Sequence, residues 1–128
     1  MLNSPGLTGE LRVFGTGDIA TTIIEAAGGV QAFDGIAGRQ RTVTAEGIIT
    51  ARPDVIVVPA CCGADVGPED AGPLIERLRA DPALATVPAV RDGRIIPTTF
   101  AEVSPGVRNA DAVAALARQL HPERFGVR

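Results

Sequence analysis

Four β-branched residues in a row, Val55-Ile56-Val57-Val58, stand between Pro53-Asp54 and Pro59. A strand with one wet face alternates apolar and polar residues. A run without alternation has to be covered on both faces, as in a parallel sheet with helices on either side. The run is also far short of the roughly 20 residues that span a bilayer.

The rest of the chain reads as strand-then-helix units around that run. Leu11 to Phe14 is a short strand that ends in the turn Gly15-Thr16-Gly17, with Asp18 capping a helix whose inner face is Ile19, Ile23 and Ala26 and whose stop is Gly28-Gly29. From Val30 to Arg41 no period is legible, which predicts a loop. Thr44 caps a short helix to Ala51 that turns Ile48 and Ile49 inward, and Pro53 closes it. Pro73 to Ala80 is a helix through Leu74, Ile75 and Leu78, and Arg94 to Pro97 is a strand after the turn Asp92-Gly93. Val113, Leu116, Ala117 and Leu120 mark the apolar face of a last helix.

The fold expected is therefore α/β: a single domain over residues 1–128, with its core at about 11–126, in which a small, three- to four-stranded, mainly parallel sheet lies between two helical layers. In such sheets ligands bind outside the C-terminal ends of the strands. That rule nominates the loops Gly15 to Asp18, Pro59 to Asp65 and Thr98 to Arg108, with Thr16, Cys61, Cys62, Phe100 and Arg108 as ligand-facing residues. Arg108 falls at the start of the last helix, where the dipole disfavours a cation by about 0.3–1 kcal/mol, so service to an anion is weighed against a solvated side chain. A sheet this small forms half of a binding cleft.

Several function classes are excluded or weakened. The 128 residues carry a net charge of −3, and all 12 basic residues are Arg, spread without a stripe, so no nucleic-acid partner is expected. Met1 to Glu10 has neither a basic start nor an apolar stretch, so no signal peptide is legible, which fits a cytosolic protein or a fragment. Cys61 and Cys62 are adjacent, a poor geometry for a disulfide, and too few ligands accompany them for a metal site. The single histidine, His121, lies beyond the last helix face and is given a structural role; no Ser-His-Asp set is apparent. No catalytic residue, metal or cofactor is expected. The runner-up is a nucleotide- or cofactor-binding enzyme domain using Gly15 to Ala20, which matches the dinucleotide fingerprint G-x-G-x-x-A. A third reading is a single-lobed module that pairs with itself.

Four segments carry a family resemblance. Val43-Thr44-Ala45-Glu46 with Ala51 to Val58, Ile24 to Gln31, Val87 to Ile96, and Leu120 to Phe125 resemble, in order, motifs of the periplasmic binding proteins that deliver ferric siderophores, haem or cobalamin to ABC importers. The resemblance covers about residues 11–126 and matches only the C-terminal lobe of that two-lobed family. It implies a non-catalytic component, extracytoplasmic in the periplasm or as a cell-surface lipoprotein. Its partners would be an N-terminal lobe of the same protein, a small-molecule metal chelate and a membrane permease. It also assigns Glu46 to docking on permease arginines. Gln31 stands where the family usually has Asn, and the lobe has no Tyr, which weighs against haem ligation from this half and towards an anionic ferric siderophore, with cobalamin left open.

Overall fold

A computed structural model of the chain describes residues 2–3, 11–33, 35–60, 67–99, 106–107 and 109–125. In chain order the elements are β1 (Leu2–Asn3), β2 (Leu11–Phe14), α1 (Ile19–Ala26), β3 (Gln40–Val43), α2 (Ala45–Ala51), β4 (Ile56–Ala60), α3 (Gly72–Ala80), α4 (Pro88–Arg91), β5 (Ile95–Thr99) and α5 (Asn109–Leu120). Tight 3-10 turns at Pro68–Ala71, Pro82–Leu84 and Pro122–Arg124 connect them. None of the described helices is long and apolar enough to cross a membrane.

The run that most constrains the chain is β4, and all five of its residues are buried. Side chains along a strand alternate between faces. Ile56, Val58 and Ala60 enter one core layer with Val13, Ile48, Ile75 and Leu78, which places α2 and α3 on that face. Val57 enters the other, with Phe14, Ala20, Ile23, Ala112 and Leu116, which places α1 and α5 there. Helices on both faces are the arrangement that the unbroken apolar run requires.

Helix ends follow local chemistry. Asp18 accepts a hydrogen bond from the Ala20 amide at 2.9 Å, and Thr44 Oγ1 accepts one from the Gly47 amide at 3.1 Å. Removing the latter with Thr44→Ala is expected to cost about 1 kcal/mol, read as a lower denaturation midpoint at unchanged slope. At the far end of α1, Gly28 takes φ +88°, and the amides of Gly28 and Gly29 return to the carbonyls of Glu25 and Ile24 at 3.0 and 2.9 Å. This reciprocal pair satisfies two orphan carbonyls, and the left-handed residue it needs is a glycine.

Three features differ from expectation. The buried face of α1 is Ala20, Ile23, Ile24 and Ala27, while Ala26 is exposed. The stripe is rotated because α1 packs between Phe14 and α5. From the end of the stretch expected to be loop, which closes at Arg41, residues 40–43 form β3, whose Gln40, Arg41 and Thr42 are exposed. A backbone ladder with β2 holds it, so no apolar pattern marks it. The lobe is α/β with a parallel pair, β4–β5, in the register Ile56↔Ile95 to Ala60↔Thr99. The remaining pairings, β2 with β1 and with β3, are antiparallel. A parallel return after β1 needs a crossover of a dozen or more residues, longer than the stretch between Asn3 and Leu11.

The lobe therefore has two distinct ends. β4 and β5 finish together at Ala60 and Thr99. At the opposite end, Val13 of β2 shares a cavity with Asp54 and Val55 before β4 and with Arg94 before β5. So β2 finishes where β4 and β5 begin.

Candidate ligand end and docking helix

β4 and β5 finish side by side at Ala60 and Thr99 at one end of the lobe, with Thr98 buried. Of the residues nominated there, Cys61, Cys62, Phe100 and Arg108 lie outside the described residues. Val107 stands 98% exposed next to the start of α5, and the Gly106 amide donates to Asn109 Oδ1 at 3.0 Å.

Thr16 belongs elsewhere. Because β2 finishes where β4 begins, the turn that follows it lies away from Ala60 and Thr99. The Thr16 hydroxyl donates to the Ile36 carbonyl at 3.2 Å, so it serves the packing of residues 36–39 on the turn. The sequence placed it with the ligand loops by assuming that β2 is parallel to β4.

The same turn tests the nucleotide reading. A dinucleotide site leaves the amides of the glycine turn free to approach a pyrophosphate. Here the amides of Gly15, Thr16 and Gly17 donate to the carbonyls of Arg39, Ile36 and Gly38 at 2.8, 3.0 and 2.8 Å. The buried Asp18 carboxylate occupies the start of α1, with Arg39 Nε 3.4 Å away. Three donors are consumed and an anion already sits at the helix start. The turn is a structural joint, and the enzyme reading loses its site.

Glu46 lies exposed in the first turn of α2. The other end of that helix, Ala51, lines the same cavity as Asp54 and Val55, so α2 points its start towards the end where β4 and β5 finish. Its carboxylate is thus presented to solvent on the side of the lobe where β4 and β5 finish. After Ala51 comes Arg52, with φ 49°, a left-handed conformation unusual for a residue with a side chain, and then Pro53.

His121 lines the cavity at the end where β4 and β5 begin. Its Nε2 donates to the Gly28 carbonyl at 2.9 Å, tying the end of α5 to the end of α1. Arg94 reaches the same place and donates to the Leu120 carbonyl at 3.1 Å, a cation on the negative end of a helix. Gln31 Nε2 donates to the Phe14 carbonyl at 2.7 Å, where Thr21 Oγ1 also serves the Gly15 carbonyl at 2.7 Å. These ties explain a polar residue at position 31, which the sequence marked only by its family motif. Among the described residues, no three His, Cys, Asp or Glu side chains are grouped to hold a metal ion. The Asp92 carboxyl is held below the usual range by hydrogen bonds from the neighbouring Arg91 guanidinium, an exposed pair.

No family model matches the chain, and no curated protein does. Solved structures do. A periplasmic binding protein from Veillonella parvula is 25% identical, with a TM-score of 0.79, over 94% of this chain and 41% of its own. The periplasmic heme-binding protein RhuT from Roseiflexus sp. RS-1 is 30% identical, with a TM-score of 0.75, over 94% of this chain and 45% of its own. An ABC-type Fe3+-hydroxamate transport system from Saccharomonospora viridis is 25% identical, with a TM-score of 0.66, over 91% of this chain and 37% of its own. The chain spans less than half the length of each.

Proposed function

We propose that this chain, one lobe of the periplasmic binding-protein fold, is the C-terminal ligand-binding lobe of a substrate-binding protein that feeds an iron–siderophore complex or related metal chelate to an ABC importer. One observation carries the reading: 94% of the chain superposes on 41–45% of binding proteins more than twice its size. This is a fold that binds and hands over ligand and does not catalyse. The place of work is extracytoplasmic, as the word periplasmic in the neighbours' names implies. The partners are the N-terminal lobe of the same protein and a membrane permease that meets Glu46.

Position favours a siderophore over haem. The chain has one His and no Tyr, and that His is engaged with Gly28 at the end remote from the ligand loops. This lobe therefore brings neither imidazole nor phenolate to an open axial position. A ferric siderophore needs no such ligand, because the chelator completes the coordination of its own iron, and the protein has only to recognise the outer surface of the complex. Cys61, Cys62, Phe100 and Arg108 are proposed for that recognition, with Arg108 meeting the negative charge. Thr16, whose hydroxyl donates to the Ile36 carbonyl in the turn after β2, is left out of that set.

Calorimetric titration of the full-length protein with a ferric hydroxamate, haem and cobalamin tests the assignment. The expected result is saturable binding of the ferric hydroxamate, accompanied at about 100 Kd by roughly 2.7 kcal/mol of stabilisation, and weaker binding of the other two. Tighter binding of haem overturns the siderophore preference. Failure of all three overturns the chelate-transport reading.

A further inference from the structure

β3 is the outer strand of its sheet, and among the described residues β2 is its single ladder partner. Along an antiparallel pair, residues that exchange amide–carbonyl bonds alternate with residues that do not. The register shows which are which. Phe14 stands opposite Gln40, Val13 opposite Arg41 and Arg12 opposite Thr42. One step earlier, the Gly15 amide donates to the Arg39 carbonyl at 2.8 Å. Arg39, Arg41 and Val43 therefore turn their backbone groups to β2, and Gln40 and Thr42 turn theirs outward. The Phe14 carbonyl fits this alternation, since it serves Gln31 Nε2 at 2.7 Å. Two donors and two acceptors thus lie in line along an exposed edge, which is a template for another strand.

The side chains on that edge say what such a strand must carry. Residues 39–43 hold two arginines and no carboxylate. Arg41 is opposite the buried Val13 and shares its face of the sheet, yet it is exposed because β3 is outermost. Among the described residues no carboxylate is paired with it. Arg39 spends its Nε on Asp18 at 3.4 Å and is 82% exposed, so its terminal nitrogens remain open to a second anion. A copy of this chain is a poor occupant. The register that uses both outward residues of each copy sets Arg41 opposite Arg41, with Cα atoms about 4.5 Å apart, and like charges there repel.

We infer that the outer edge of β3 is a docking site for an extended acidic segment of a partner protein, added to the sheet antiparallel to β3. The antiparallel sense sets side chains directly opposite one another and gives the more stable pairing. Read in its own direction, the segment carries an apolar residue opposite Val43, which is partly buried against the core. Acids follow opposite Arg41 and Arg39. The residues between them meet Gln40 and Thr42, so they are uncharged and are not proline, because their amides are needed. Charge complementarity sets the register, and the backbone ladder holds the segment. β3 runs through Thr44 directly into α2, so the edge adjoins the helix of Glu46. The inference stands whether or not Glu46 docks on a permease.

Three capped peptides titrated into the chain test it: Val-Thr-Glu-Thr-Glu, Val-Thr-Lys-Thr-Lys and Val-Pro-Glu-Pro-Glu. The first is expected to move the amide resonances of Gln40 and Thr42 saturably and to slow their hydrogen exchange about fivefold. The Arg41 amide, turned to β2, changes much less. The lysine and proline peptides bind more weakly, each by on the order of tenfold. Arg41→Glu weakens the glutamate peptide by a similar factor at an unchanged melting temperature, because the side chain it replaces is exposed. Equal binding of the proline peptide overturns the added strand and leaves diffuse charge attraction. No binding of the glutamate peptide overturns the site and leaves Arg41 as a guard against self-pairing. If the chain is a dimer whose Gln40 and Thr42 amides are protected before any peptide is added, a second copy holds the edge and the acidic partner is wrong.

Discussion

Replacing Glu46 with Arg in the full-length binding protein is expected to reduce import by at least tenfold, on the order of 10–10³, while leaving ligand affinity within about twofold. The separation of the two effects follows from where the side chain is. Glu46 is exposed in the first turn of α2, on the side of the lobe where β4 and β5 finish, and it lies on an element distinct from the proposed ligand loops. The first turn does not need its carboxylate for a cap, since Thr44 Oγ1 already accepts from the Gly47 amide. Folding therefore loses only the favourable placement of an acid at a helix start, about 0.3–1 kcal/mol. A docking partner loses an attractive charge and meets a repulsive one, which acts on encounter and orientation. Thr44→Ala is the matched control: it removes the cap and keeps the carboxylate, so it lowers stability and leaves import intact. Uptake of labelled ligand in cells and calorimetry on the purified protein read the two quantities separately. Import at the natural rate by the Arg variant removes Glu46 from docking.

What the sequence made legible, and what it hid, divides along a physical line. Most elements that bury side chains announced themselves. The run Val55 to Val58 called for cover on both faces and has it, and Asp18, Thr44 and Gly28 marked helix ends through chemistry confined to one turn. An element held mainly by its backbone did not. Gln40 to Val43 joins the sheet through the amides and carbonyls of a ladder, and a ladder leaves no signature in side-chain type. Strand direction was hidden for a related reason: Leu11 to Phe14 reads the same whichever way it runs, and Thr16 was assigned to the ligand end on that ambiguity. The cavity beside β4 was beyond sequence reasoning altogether, because it depends on Val13, Val57 and Leu120 meeting across three elements. For the candidate site, Glu46 could be found from its motif and its place in a helix start, whereas the turn at Gly15 needed coordinates to show which donors were already used.

That turn carries the largest expected effect on stability: Gly15→Ala should lower the free energy of unfolding by about 2–4 kcal/mol and the melting temperature by roughly 8–15 °C. A Cβ built on Gly15 would stand 2.5 Å from the Gly38 carbonyl oxygen and 2.9 Å from that of Ile36. Both obstacles are backbone, so neither can swing aside as the tip of a side chain would. To admit the methyl group the 36–39 segment has to retreat, and its retreat weakens three hydrogen bonds at once, those from the Gly15, Thr16 and Gly17 amides to Arg39, Ile36 and Gly38. Each amide left unpaired costs about 1–3 kcal/mol where water cannot replace the partner, and Ile36 gives up part of its place in the core beside Val13 and Ile48. Gly72→Ala provides the contrast. It stands in open space at the start of α3 and is expected to be neutral or slightly stabilising. Thermal melts of the two variants decide the matter, and melts repeated with NAD(H) extend it. If this glycine served a pyrophosphate, the natural chain would gain stability from the nucleotide, and Gly15→Ala would lose that gain with little change to its melting point in the absence of ligand. A glycine held by a neighbouring backbone gives the reverse, a large loss without ligand and no response to nucleotide in either chain.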